Sequence, residues 1–229
     1  MTNRQLDELI KAWDLENNGI PPEESTLAAR LEILTYRALA EGHPVRASRL
    51  ASMAGVPVEL AEALFEHGKA LGGEWDEEGR LLGNVLTLVP TSHRFRVNGK
   101  ELYTWCSMDA MHLPGLLGQA AEVESADPVT GQAIHLVIPP DGLPSFTPAK
   151  TDLTIVFSSG ERSGPQSPLC QQMHFFASRE SAAIWVRDHP NATIMSVEEV
   201  HQLVREFIHI PLERALKQLS KSDFIEKSR

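Results

Sequence analysis

Near residue 90 the apolar residues of this chain change their spacing from the period of a helix to the period of a strand, and few fold classes accommodate that switch. On the N-terminal side, Leu6, Leu9, Ile10 and Trp13 recur at helical intervals, and Asn17-Asn18-Gly19-Ile20-Pro21-Pro22 breaks the pattern. Ser25 is placed to cap a second helix, whose stripe is Leu27, Leu31, Leu34 and Leu39 and whose stop is Gly42-His43-Pro44. Two short helical patterns follow over about 46–54 and 58–71, divided by Gly55-Val56-Pro57. Glu74-Trp75, the acidic turn Asp76-Glu77-Glu78-Gly79 and an apolar run through Leu81, Leu82, Leu86 and Leu88 read as a hairpin. Helix, helix, turn, helix and hairpin in that order is the outline of a winged helix-turn-helix.

Beyond residue 90 the pattern is mixed. Strand-like runs lie at 92–97, 101–104, 133–138, 152–157 and 172–176. Asn98-Gly99 predicts a type I′ hairpin between the first two, and Asp127-Pro128-Val129-Thr130-Gly131 another turn. Four prolines make 139–150 a loop, and 158–168 reads the same way. Helical patterns cover about 106–118, 178–188 and 197–219, with Ser178/Ser181 and Ser196/Glu199 as cap pairs, the second fitting a capping box. The last ten residues are polar and are expected to fray. The expected class is therefore α+β: a winged helix-turn-helix-like module over 1–90, then a mixed antiparallel-sheet and helix catalytic domain over 91–229.

Charge removes the partner that the N-terminal outline suggests. The chain carries 31 acidic against 21 basic side chains, a net charge of −10. Between Arg46 and Leu82 there are four basic and seven acidic residues, and the helix that would enter a DNA groove carries Glu59, Glu62 and Glu66. Phosphate binding wants the opposite sign, so no nucleic-acid partner is expected. The N-terminus lacks the apolar segment of a signal peptide, and no run approaches the roughly 18 apolar residues of a membrane span. A cytoplasmic protein with reduced thiols is the expectation.

Only two cysteines are present, Cys106 and Cys170. In Tyr103-Thr-Trp-Cys-Ser-Met-Asp109 a strand ends and a helix begins. With Thr104 as N-cap, Cys106 falls in the first turn, where the helix dipole favours a thiolate. Asp109, three residues on, shares its face and as a carboxylate works against the dipole, disfavouring the thiolate unless it is protonated or hydrogen-bonded, so thiol and carboxyl are placed to share a proton. Cys170 follows a loop rich in Gly, Pro and Ser and precedes an apolar run, with His174 on the same face if the segment is a strand.

Three segments together resemble the organomercurial (alkylmercury) lyase family of bacterial mercury resistance. One is Leu102-Tyr-Thr-Trp-Cys-Ser-Met-Asp109, which follows the family pattern Leu-Tyr-x-Trp-Cys-x-x-Asp. Another is Cys170 with His174-Phe-Phe-Ala-Ser178 four residues later. The third runs from Pro44-Val-Arg through Trp75-Asp-Glu-Glu-Gly79 to Leu86-Thr-Leu88. The resemblance implies a catalytic set of Cys106, Cys170 and Asp109, which also hold mercury as substrate and product. It implies no resident cofactor, an external thiol for product release, and a mercuric reductase as acceptor of Hg(II). The chain departs from the family in having Gln171 after the loop cysteine and no cysteine near the Asp127–Gly131 turn.

The implied chemistry suits these residue types. Soft Hg(II) prefers thiolates, and two of them on one mercury push electron density onto the bound carbon, which an adjacent acid then protonates. Trp105, Met108, Leu113, Phe175 and Phe176 are candidate walls for the organic group. Three other readings use the same residues. Cys106, His112, Cys170 and His174 make a possible structural zinc set. The two cysteines make a possible regulatory disulfide. A mercury-binding or regulatory protein without turnover needs only the thiols, and Asp109 speaks against it.

Overall fold

The structure is a computed structural model, and it describes residues 22–70, 72–157 and 167–210. The expected first helix around Leu6–Trp13, the breakers up to residue 21, most of the 158–168 loop and the chain past 210 lie outside the described residues.

Three helices come first: α1 (Pro22–Leu39), α2 (Ala47–Ala54) and α3 (Val58–Ala70). Ser25 lies inside α1, which already begins at Pro22, a residue whose fixed φ suits a first helical position. Gly55 closes α2 in the left-handed conformation at φ 68°, where a side chain would be strained. Strands β1 (Glu74–Trp75), β2 (Leu81–Asn84) and β3 (Leu86–Thr87) follow. The apolar run expected to be one strand is broken at Val85, whose φ of 67° turns the chain sharply.

β3 then pairs with β5 (Lys100–Thr104), so the hairpin of the first ninety residues continues into the main sheet. That sheet has eight antiparallel strands in the order β1-β2-β3-β5-β4-β6-β7-β8, with β4 at His93–Val97, β6 at Ala121–Ala126, β7 at Ala133–Ile138 and β8 at Ser145–Thr147. Asn98 and Gly99 both take positive φ, as a type I′ turn requires. A second sheet has the order β10-β9-β11, from β9 (Asp152–Val156), β10 (Phe175–Phe176) and β11 (Ala192–Ser196). β9 is central and buried at every residue, its polar Asp152 and Thr154 included.

α4 (Ser107–Leu117) lies between the sheets and packs against α1, β4, β5, β9 and α6 (Val197–Val204). α5 (Arg179–Trp185) is capped by Ser178, and α6 by the Ser196/Glu199 capping box, as the spacing predicts. A π-turn at Arg205–His209 continues α6 and sets the His209 ring against Gly115, where any side chain would collide with it. His209 Nε2 donates there to the His112 carbonyl at 2.8 Å, clamping the far half of α4. No helix among the described residues is long and apolar enough to cross a membrane.

Candidate active site

Cys106 stands at the N-cap of α4, so the helix starts two residues later than the spacing suggests. Thr104 is instead the last residue of β5, and its hydroxyl donates to the Cys106 carbonyl at 3.0 Å. Asp109 is the third helical residue, and its carboxyl accepts the Cys106 backbone N–H at 3.1 Å, closing a capping box in which cysteine takes the serine role. One strand end and one helix start thus fix both side chains through local bonds. The preceding residue is fixed by distant ones. The Trp105 N–H donates to the Val85 carbonyl at 3.1 Å, and its indole N–H to Glu74 at 2.8 Å.

Cys170 opens a 3-10 turn, Cys170–Gln172, held by its N–H on the Ser167 hydroxyl at 3.1 Å. The expected strand over 172–176 therefore shrinks to Phe175–Phe176, and the strand argument that put Cys170 and His174 on one face fails. Backbone bonds tie this turn to the first motif. Met173 N–H donates to the Cys170 carbonyl at 3.2 Å, and Ser107 N–H donates to the Met173 carbonyl at 3.2 Å.

The result is a convergence of residues far apart in the chain. The two sulfurs and one Asp109 oxygen lie within 4.8 Å of one another, and all three residues are buried. Among the described residues no other three His, Cys, Asp or Glu side chains gather in this way. Both cysteines are free thiols. Burial dominates their electrostatics. It raises the Cys106 thiol well above its ordinary value, helped by the hydrogen bond to Cys170 and the charge of Asp109. Of the two opposed influences on the thiol, the helix dipole loses, because the cost of a buried charge exceeds what the helix terminus returns and Asp109 adds to that cost. Burial likewise raises the Asp109 carboxyl well above its ordinary value, with the Cys170 charge adding to it. At rest, burial favours the protonated forms of Cys106 and Asp109.

The histidines do not join it. His112 Nδ1 donates to the Met108 carbonyl at 3.1 Å, within its own helix, and His174 Nε2 donates to the Gln171 carbonyl at 2.9 Å. The gathered group contains Asp109 where the zinc reading needs two imidazoles. Of the expected pocket walls, Trp105, Leu113 and Phe175 share the buried core with both cysteines, and Met108 packs against it. Phe176 points the other way, toward Trp185 at 6.1 Å between ring centres, as neighbours on a strand must.

Several supports escape the sequence. Val85 and Glu74 carry no local signal for holding Trp105, and nothing nearby marks Met173 as the link between the two cysteine segments. Ser107 gave no signal beyond its place next to Cys106. The turn at Asp127 is legible, but its reach to Ser181 across the fold is not.

A family model described as alkylmercury lyase matches residues 86–209. The alkylmercury lyase of Staphylococcus epidermidis is 37% identical over 167 residues, 73% of this chain and 76% of that one. That of Streptomyces lividans is 37% identical over 179 residues, 78% and 79% of the two chains. That of Bacillus cereus is 33% identical over 201 residues, 88% and 90%. Among solved structures, the mercury-bound form of MerB2 superposes with a TM-score of 0.72 at 21% identity, covering 90% of this chain and 99% of that one.

Proposed function

Because this chain belongs to the alkylmercury lyase family, an enzyme that cleaves the carbon–mercury bond of organomercurials, we propose that Cys106, Cys170 and Asp109 do the chemistry. The observation that carries this assignment is the meeting of two buried thiols and one buried carboxyl, from separate segments, within 4.8 Å.

The substrate is R–Hg–X, where X is the anionic ligand it arrives with. Cys106 sulfur bonds to mercury, X departs with the electron pair of the Hg–X bond, and the thiol proton goes with it. Cys170 sulfur then bonds to the same mercury, and two thiolates make the bound carbon basic. The Asp109 O–H gives its proton to that carbon as the C–Hg bond breaks, and the Cys170 proton replaces it on the carboxyl. Hydrocarbon leaves, and Hg(II) rests on two sulfurs. A carboxyl held neutral by burial suits this step, since it can donate at neutral pH.

Two external thiols then displace Hg(II) and return protons to both cysteines, and a mercuric reductase collects the metal downstream. No resident cofactor is needed, because the three side chains supply both the nucleophiles and the acid. A mechanism that needs both thiols reduced is suited to a reducing compartment, and a cytoplasmic location is part of this reading.

The helical, winged-helix-like module serves the site as a cover rather than reading nucleic acid. Two observations support this. The four basic residues between Arg46 and Leu82 are engaged by carboxylates: Arg46 with Glu78, Arg49 with Glu41, Lys69 with Glu66, and Arg80 with Asp76. Tyr36 of α1 packs edge-on to His112 at 6.4 Å, one turn beyond Asp109 on the same face of α4.

The test is hydrocarbon release. Wild-type protein given methylmercury and excess small thiol evolves methane; Cys106→Ser and Cys170→Ser evolve almost none. Undiminished methane from Cys170→Ser refutes the two-thiol assignment.

A further inference from the structure

Ser107 is fully buried, and its hydroxyl has no hydrogen-bond partner among the described residues. It is the first residue of α4 and follows Cys106 directly. Its N–H reaches the Met173 carbonyl, and Met173 in turn holds the Cys170 carbonyl, so Ser107 stands where the two cysteine segments meet. A buried hydroxyl left unpaired costs about 1–3 kcal/mol, and serine has no packing advantage over alanine to offset it. The resting fold carries this cost in the residue directly after Cys106.

We propose that the Ser107 hydroxyl receives the anionic ligand X, a small thiolate, as it leaves mercury. The inference rests on the lyase reading and adds a specificity-determining residue to it. The step it serves is the first exchange. The Cys106 S–Hg bond forms, the Hg–X bond breaks, and its electron pair stays on X. The Cys106 proton ends on X, so a free thiol departs. Ser107 donates a hydrogen bond to the charge that builds on X and transfers no proton itself.

Methylmercury is presented as its one-to-one complex with each of several small thiols of graded acidity. Loading onto Cys106 is followed by quenching of tryptophan fluorescence, and methane is measured separately. The Ser107→Ala variant should load about tenfold more slowly, the loss expected for one hydrogen bond to a charged group. The deficit should grow as the departing thiol becomes less acidic, while methane release from the loaded variant stays at the wild-type rate. Its melting temperature should be unchanged or higher, because no resting hydrogen bond is lost. Loading at the wild-type rate with every thiol overturns the proposal. So does uniform slowing with a lowered melting temperature, which marks a structural residue. Loading is read without methane, so a wild-type protein that loads but evolves none counts against the lyase reading alone.

Discussion

Asp109 at the start of α4 and Asp127 at the turn after β6 are 5% and 1% exposed, yet their carboxyls are shifted in opposite directions. Burial raises both. Around Asp109 the neighbours are two thiols and one backbone N–H, too few to offset it, and the carboxyl ends well above its ordinary value. Around Asp127 four donors converge: the Ser181 hydroxyl, Ala177 N–H at 2.8 Å, Thr130 N–H at 3.0 Å and Val129 N–H at 2.8 Å. Together they outweigh burial and hold that carboxyl below its ordinary value. One aspartate is kept neutral and can give a proton. The other is kept as an anion and pins the β6–β7 turn to the start of α5. Fewer donors and a deeper position separate a proposed acid from a structural anchor.

The difference is sharpest under the same substitution. Asp109→Asn should cut hydrocarbon release by about 100- to 10,000-fold, the range for losing a positioned acid, while thermal stability holds or improves. Steady-state methane production and a melting curve on one preparation check both. Asp127→Asn should do the reverse. It sets amide hydrogens against donors that need an acceptor, and the expected loss is about 2 kcal/mol of stability with turnover retained well below the melting temperature. Equal losses of stability in the two variants would break the contrast.

pH separates them further, with opposite signs. The lowered Asp127 carboxyl contributes stability above its ordinary value of 3.8, and this is lost as pH falls through its folded value. The gap between wild type and Asp127→Asn should therefore close in acid. The raised Asp109 carboxyl contributes stability below 3.8, and this is lost as pH rises toward its folded value. Asp109→Asn should accordingly gain on wild type as pH rises. Denaturant titrations across acid and neutral pH read both slopes.

How much of this the sequence discloses depends on distance along the chain. The Cys106–Asp109 pair is legible because a three-residue spacing at a helix start is a local geometry. Cys170 joins it through backbone bonds between Ser107 and Met173, which no spacing encodes, so only the family resemblance reaches it. His174 was misplaced because Ser167 caps a 3-10 turn where apolar content suggested a strand. β6 carries little strand signal because its Ala and Glu residues are poor strand formers. Cross-strand pairs Arg94–Glu124 and Arg96–Glu122 on β4 support it from outside the segment. The direction of the Cys106 thiol shift is not legible, because the dipole and Asp109 oppose each other locally and burial, the larger effect, is a tertiary property.

The central claim is that the resting site holds a neutral Asp109. Difference infrared spectroscopy at neutral pH on protein with carbon-13-labelled aspartate carboxyls reads it directly. The account predicts a carboxylic-acid C=O band that is present in wild type and Asp127→Asn and absent from Asp109→Asn. A wild-type spectrum showing only ionised carboxylates, or an acid band that survives in Asp109→Asn, would contradict it.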